Sequence, residues 1–335
     1  MPRKMNHHPA NQTLTALPGL SVGHYTHPLR PTGCTVVLCP QGAVAGVDVR
    51  GAAPGTRETD LLAPGHTVPH VHALLLAGGS AYGLDAASGV MNWLEAHGHG
   101  LRVGPALVPI VPAAVIFDLG VGDAAIRPDA SAGQSACKAA GTAPVMPGNV
   151  GAGAGATVGK LFGPEVAMRG GLGSALVQVG PWQVAALVVC NALGDVLDPA
   201  TGRLLAGART GADELVLRDS TRAMLAGQAL GAPAVGANTS IGVVATNAQL
   251  DKAQAQRLAV AGHDGLARAI RPVHTPMDGD TLFGLATGAC AQTPDPMLLC
   301  AMAAEAVAMA TVQAVQEATT LRHGGRWWPC ARDLA

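Results

Sequence analysis

The chain has 335 residues, of which 49% are hydrophobic and 13% charged, with a net charge of −1. Charged residues make up about 25% of an ordinary soluble chain, so much of this surface is expected to be covered by other subunits, and the basic clusters at the extreme N-terminus and over Arg322 to Arg326 give no stripe for a nucleic-acid backbone. Seven scattered cysteines, at positions 34, 39, 137, 190, 290, 300 and 330, make neither a disulfide framework nor a paired zinc spacing and are expected to be core residues in a reducing, cytoplasmic compartment.

Met1 to Pro9 carries positive charge without an apolar segment behind it, so it does not read as a signal peptide. Residues 1–14 read as a flexible arm and 15–335 as a single domain. Short apolar runs punctuated by Gly and Pro then suggest strands up to Ala77. Val71 to Ala77 is a buried strand that Gly78-Gly79-Ser80 turns into a helix, with Ser80 as its N-cap and Leu84, Ala87, Val90, Met91 and Leu94 as its apolar face. The longest apolar run, Val103 to Phe117, contains Pro105, Pro109 and Pro112 and is closed by Asp118, so no membrane span is expected.

Gly151 to Lys160 resembles a phosphate loop only superficially. Ala154 stands where a Walker A loop needs Gly, Leu161 stands where it needs Ser or Thr, and the dinucleotide-like Gly151-x-Gly153-x-x-Ala156 lacks its flanking strand and helix. No cofactor is expected. Lys160 is one of four lysines and lies in a run that is otherwise Gly and apolar, where a cation can stabilise an anion or depress a neighbour's pKa; the alternative is a surface Lys at a loop end.

Ala175 to Val179 and Val184 to Val189 flank Gly180-Pro181-Trp182 and predict a hairpin. Asn191 follows at the end of a buried run, where an amide needs hydrogen-bond partners or a substrate oxygen; the alternative is a turn before Gly194-Asp195. Residues 200–237 end in Gly231-Ala232-Pro233-Ala234-Val235-Gly236-Ala237, which reads as an exposed, cleavable connection. Asn238-Thr239-Ser240 then opens a strand through Thr246. Read alone, it is an ordinary strand start. Cut before Thr239, it becomes a hydroxyl nucleophile whose own α-amino group, with a pKa of about 8, can accept the proton.

Asp251-Lys252-Ala253-Gln254 resembles a capping box opening a helix to Ile270, and Asp278-Gly279-Asp280 places two carboxylates on one side of an extended stretch. Calcium is the competing use of that pair, but the further acids an EF-type loop needs are absent, so no metal is expected. A strand near Leu282 to Ala286 and a helix from Pro296 to Thr320 complete the chain. The elements alternate without a strict β-α-β rhythm, which favours packed sheets covered by helices over a doubly wound parallel sheet.

Gly78-Gly79-Ser80-Ala81-Tyr82-Gly83-Leu84-Asp85, Val108-Pro109-Ile110-Val111-Pro112, the Gly-rich run ending in Lys160, Asn191, Asn238-Thr239 and Asp278-Gly279-Asp280 occur together in this order. From Gly19 to Thr320 the chain resembles the DmpA-type L-aminopeptidase/D-esterase family, and within it the nylon-oligomer hydrolases with an Asn-Thr cleavage site. The resemblance implies an α+β fold, a four-layer αββα sandwich like that of N-terminal-nucleophile hydrolases. It also implies autocatalytic cleavage into 1–238 and 239–335, and tetramers of αβ units. By position, Thr239 looks like the nucleophile, Asp278 and Asp280 like the pair that orients it, and Asn191 with Lys160 like the groups near the oxyanion and the scissile bond. Phe117 lies in a segment where several relatives place a Tyr. The expected activity is release of N-terminal residues from small peptides, amino-acid amides or ω-amino acid oligomers. Two other readings share the sequence: an acyltransferase of the ornithine acetyltransferase type on the same scaffold, and an unprocessed, non-catalytic assembly protein.

Overall fold

A computed structural model describes residues 11–231, 236 and 238–334. Residues 1–10 of the expected arm, and most of the expected cleavable connection (232–235 and 237), lie outside them. Leu14, which the sequence places in that arm, is buried, and its N–H donates to Ser174 Oγ at 2.9 Å.

Nine strands form one connected ladder among the described residues: β1 (Ser21–Thr26), β2 (Gly33–Val49), β3 (Thr56–Arg57), β4 (Val71–Ala77), β5 (Ala113–Val115), β6 (Gly171–Val179), β7 (Trp182–Asn191), β8 (Thr239–Ala248) and β9 (Thr281–Cys290). Their order is β6-β7-β8-β9-β2-β4-β5-β3, with β1 on the side of β2. The early strands are not all short, because β2 runs for 17 residues. Its first half pairs with β1 and β4, its second half pairs with β9, and the register slips between Leu38 and Ala43. That irregularity lets one strand serve two sheets.

Side-chain alternation shows how the two sheets stack. Leu74 and Leu76 of β4 point toward Leu187, Val243, Phe283 and Leu285 of the other sheet, while Ala73, Leu75 and Ala77 point away, toward helices α1 (Ala86–Ala96) and α2 (Ala130–Lys138). On the far side, Val188, Val244 and Leu282 meet α3 (Lys252–Ala269) and α4 (Pro296–Gln316). The layers are therefore helix, sheet, sheet, helix. Strands buried on both faces read as near-continuous apolar runs: all seven residues of β4 are buried and all but His72 are apolar.

The local signals act mostly as expected. Asp251 Oδ1 accepts from Gln254 N at 2.8 Å and Gln254 Oε1 accepts from Asp251 N at 2.9 Å, the reciprocal capping box that starts α3. Helix α4 is long and apolar enough to cross a membrane, yet Met302, Ala303, Ala306 and Val307 are buried against the sheet. Ser80 does not cap a helix. It sits at φ 54 and opens a 3-10 turn, Ser80–Asp85, ahead of α1, because Gly79 N–H is held by the Asp118 carboxylate at 2.8 Å.

Two glycines set how closely α3 approaches. Gly46 and Gly284 are cross-strand partners, and a Cβ on Gly284 would lie 1.9 Å from Ala255 O, while one on Gly46 would lie 2.2 Å from Gln256 N. Both obstacles are helix backbone, which cannot swing aside. Gly284→Ala is expected to cost about 3 kcal/mol or more, at the upper end for overpacking, measured as a lowered urea midpoint.

Candidate active site

Strand directions bring the chemistry together. Strand β7 is antiparallel to β8, so its last residue, Asn191, pairs with the first residue of β8, Thr239. Strand β9 is parallel to β8, so its entering turn lies at the same end: Ile241 pairs with Thr281, and Asn238 bridges to Asp278.

Thr239 is buried and its Oγ1 donates to the carbonyl oxygen of Asn238 at 2.5 Å. The same oxygen accepts from Gly279 N at 2.9 Å. The carbonyl in front of Thr239 is thus polarised by a backbone N–H, in the manner of an oxyanion hole. Gly279, which the sequence reading did not single out, holds this position rather than the Asn191 amide.

Lys160 is carried by a loop laid along the segment after β7, with Gly159 N bonded to Gly194 O and Lys160 N to Leu193 O, both at 2.9 Å. Its Nζ donates to Asn191 O at 2.9 Å and Asn191 Oδ1 at 3.0 Å. Thr157 N also donates to Asn191 Oδ1, at 3.0 Å, which leaves Asn191 Nδ2 to donate to Phe117 O at 3.3 Å. The amide is therefore fixed in orientation. Burial pushes the Lys160 pKa down to about 7, with the nearby Asp278, Cys190 and Asp280 opposing the shift. Amine and ammonium are then comparably populated near neutral pH.

The two carboxylates have different partners. Asp278 Oδ2 accepts from Thr275 N at 2.9 Å and Thr275 Oγ1 at 2.6 Å, closing its own turn. Asp280 Oδ1 reaches across to Ser240 N at 2.6 Å, and its Oδ2 accepts from His274 Nδ1 at 2.8 Å. Burial, and next the charge of Asp280, raise the pKa of Asp278. His274 was not visible as a site residue in the sequence, where it is a single His six positions from Asp280 in a turn. Among the described residues no group of three or more His, Cys, Asp or Glu is arranged to hold a metal ion.

All six residues singled out from the sequence, Lys160, Asn191, Asn238, Thr239, Asp278 and Asp280, thus converge at one end of the sheet. The model of peptidase family S58 matches residues 12–325. The chain belongs to that family. It is accordingly an enzyme of the peptide-bond hydrolase class. It is 49% identical over 312 residues to an uncharacterized aminopeptidase of Mycobacterium leprae, covering 88% of this chain and 83% of that one. It is 35% identical over 274 residues to a 6-aminohexanoate-oligomer endohydrolase of Paenarthrobacter ureafaciens, covering 81% and 73%. The fold matches an L-aminopeptidase D-Ala-esterase/amidase from Ochrobactrum anthropi, with a TM-score of 0.71 at 19% identity over 96% of this chain and 91% of that one. That structure is described as a variant of the Ntn-hydrolase fold, which agrees with the four layers seen here.

A buried Lys with a lowered pKa weakens the fold. Below pH 7 the group is charged in both states and the folded chain bears the full burial cost; the cost shrinks as pH rises from about 7 toward the unfolded value of about 10.5. Lys160→Met is expected to raise Tm, and to raise it more at pH 6 than at pH 9, as thermal unfolding at the two pH values would show.

Proposed function

We propose that the chain is a self-processing amidohydrolase with Thr239 as its nucleophile. One observation carries the reading: the Thr239 hydroxyl is hydrogen-bonded to the carbonyl it would attack, and Gly279 N–H already holds that carbonyl oxygen. In the intact chain the Thr239 nitrogen is a peptide nitrogen and cannot act as base. Lys160, beside the register partner of Thr239 and partly neutral near pH 7, is the group we assign to take the hydroxyl proton.

Bond by bond, Thr239 Oγ1 adds to the Asn238 carbonyl carbon as its proton leaves to Lys160. The carbon–nitrogen bond breaks, and the proton returns to the Thr239 nitrogen. Water then hydrolyses the ester to the Asn238 carboxylate and the Thr239 hydroxyl. The freed α-amino group becomes the base for substrate, and Gly279 N–H is available to the substrate oxyanion. Asp280 grips Ser240 N–H and so holds the strand start still.

The relatives named aminopeptidases support substrates with a free amino group on the acyl side, and those named 6-aminohexanoate-oligomer endohydrolases support amide oligomers. The sparse charge, with Leu225 and Met297 more than three-quarters exposed, supports association of copies of the chain.

A denaturing gel tests processing. The 33.5-kDa chain should give fragments of roughly 24 and 10 kDa, in proportion to residues 1–238 and 239–335, and Thr239→Ala should leave it whole. A single uncut band with full activity would end this reading. A panel of L-, D- and β-alanyl amides and the 6-aminohexanoate dimer would define the acyl preference. Processing of freshly refolded chain should quicken as pH rises through 7 and level off above 8, because the neutral amine of Lys160 is the active form. Lys160→Met should slow processing by about 100-fold or more, the range for loss of a general base.

A further inference from the structure

Asp280 is buried, and three N–H groups meet its carboxylate: Ser240 N on Oδ1, with His274 N at 3.2 Å and His274 Nδ1 at 2.8 Å on Oδ2. One residue therefore supplies two of the three donors. Because the partner is an acceptor-only carboxylate, Nδ1 is the protonated ring nitrogen. His274 reaches this geometry at φ 53, a left-handed backbone that residues other than Gly seldom adopt. That backbone aims its main-chain N–H and its imidazole at the same oxygen.

The ring is itself held from behind. His263, on α3, lies edge-on to it with ring centroids 4.8 Å apart and an interplanar angle of 71°. The His263 Nε2–H donates to the carbonyl of Asp48 at 3.0 Å. Burial pushes the pKa of His263 down to about 4, so it packs as a neutral ring.

We propose that His274 is a positioning residue for the reaction: by occupying Asp280 Oδ2 it leaves Oδ1 to Ser240 N–H and thereby fixes the backbone that presents Thr239. This rests on Thr239 being the nucleophile. Without the ring, Oδ2 keeps only the longer 3.2 Å bond from the main-chain N–H of residue 274, so the carboxylate turns more easily about its Cβ–Cγ bond and loosens the strand start, which would misplace a hydroxyl that must lie on its target carbonyl.

The test compares His274→Asn with His274→Asp. The two side chains have the same size and both tolerate the left-handed backbone, but only Asn offers an N–H in place of Nδ1. His274→Gly, which relaxes the backbone and removes the ring, is assayed with and without added imidazole. Processing is followed on gels, and kcat and KM on an amide that the wild type hydrolyses. The expected result is a fall in kcat of about 100-fold for Asp and Gly with KM changed less than about threefold, recovery to within about tenfold of wild type in Asn, and partial rescue of Gly by imidazole. A wild type that processes and turns over while His274→Asp matches it within about threefold overturns this role and leaves Thr239 standing. Equal losses in Asn, Asp and Gly, with no imidazole rescue, also overturn it, since packing alone would explain them. A wild type that neither cuts itself nor hydrolyses amides overturns the Thr239 reading and this inference with it.

Discussion

Strand β8 runs antiparallel to one neighbour and parallel to the other, and at its start a strand end, a strand beginning and an entering turn therefore meet. Asn191, Thr239 and the Asp278-Gly279-Asp280 turn owe their proximity to this pairing. Reversing either neighbour would carry its residues to the opposite end of a ten-residue strand, about 30 Å away. The rest of the molecule serves to hold β8 in that place. The facing sheet buries one side of β8 and the helix layer the other, the Gly46–Gly284 pair admits α3, and α4 covers the strands beside it.

Burying so many polar groups is tolerable because most are given partners, the Asn238 amide atoms and His274 Nε2 being exceptions. Lys160 bonds the backbone and side chain of Asn191, Asn191 bonds the backbone of Thr157 and Phe117, and the two carboxylates bond Thr275, Ser240 and His274. A second clamp supports the Phe117 segment. Asp118 accepts from Arg30 Nη2 and Gly79 N, both at 2.8 Å, and from Thr32 Oγ1 at 2.7 Å, with both charged side chains fully buried. That clamp explains why a Gly-Gly turn follows β4: a Cβ on Gly78 would lie 2.1 Å from Asp118 Oδ2. The lowered pKa of Lys160 and the raised pKa of Asp278 are the unrelieved part of this burial, and the first leaves Lys160 able to exchange a proton near neutral pH.

Much of the fold was legible because local signals and burial agreed. The β6–β7 hairpin, the capping box of α3 and the apolar run of β4 are each determined within a few residues, by a turn, a pair of side chains and two-sided burial. Where local and tertiary demands diverged, the reading failed. Ser80 resembles an N-cap, but the Asp118 carboxylate, 38 positions away, holds the turn in another shape. The length of β2 was hidden because its two halves serve different sheets and share no single pattern.

The same division runs through the site. Sequence alone determined which residue types are present and in what order: a Thr after an Asn at a strand start, a lysine among glycines, an amide ending a strand, two acids in a turn. Tertiary structure decided their partners. Only the pairing of β8 shows that the N–H on the Asn238 carbonyl belongs to Gly279, that the Asn191 amide turns toward Phe117, and that His274 shares Asp280 with Ser240. A hydrogen bond depends on where two backbones meet, and residues as far apart as Phe117 and Asn191 meet only after the strands have been ordered.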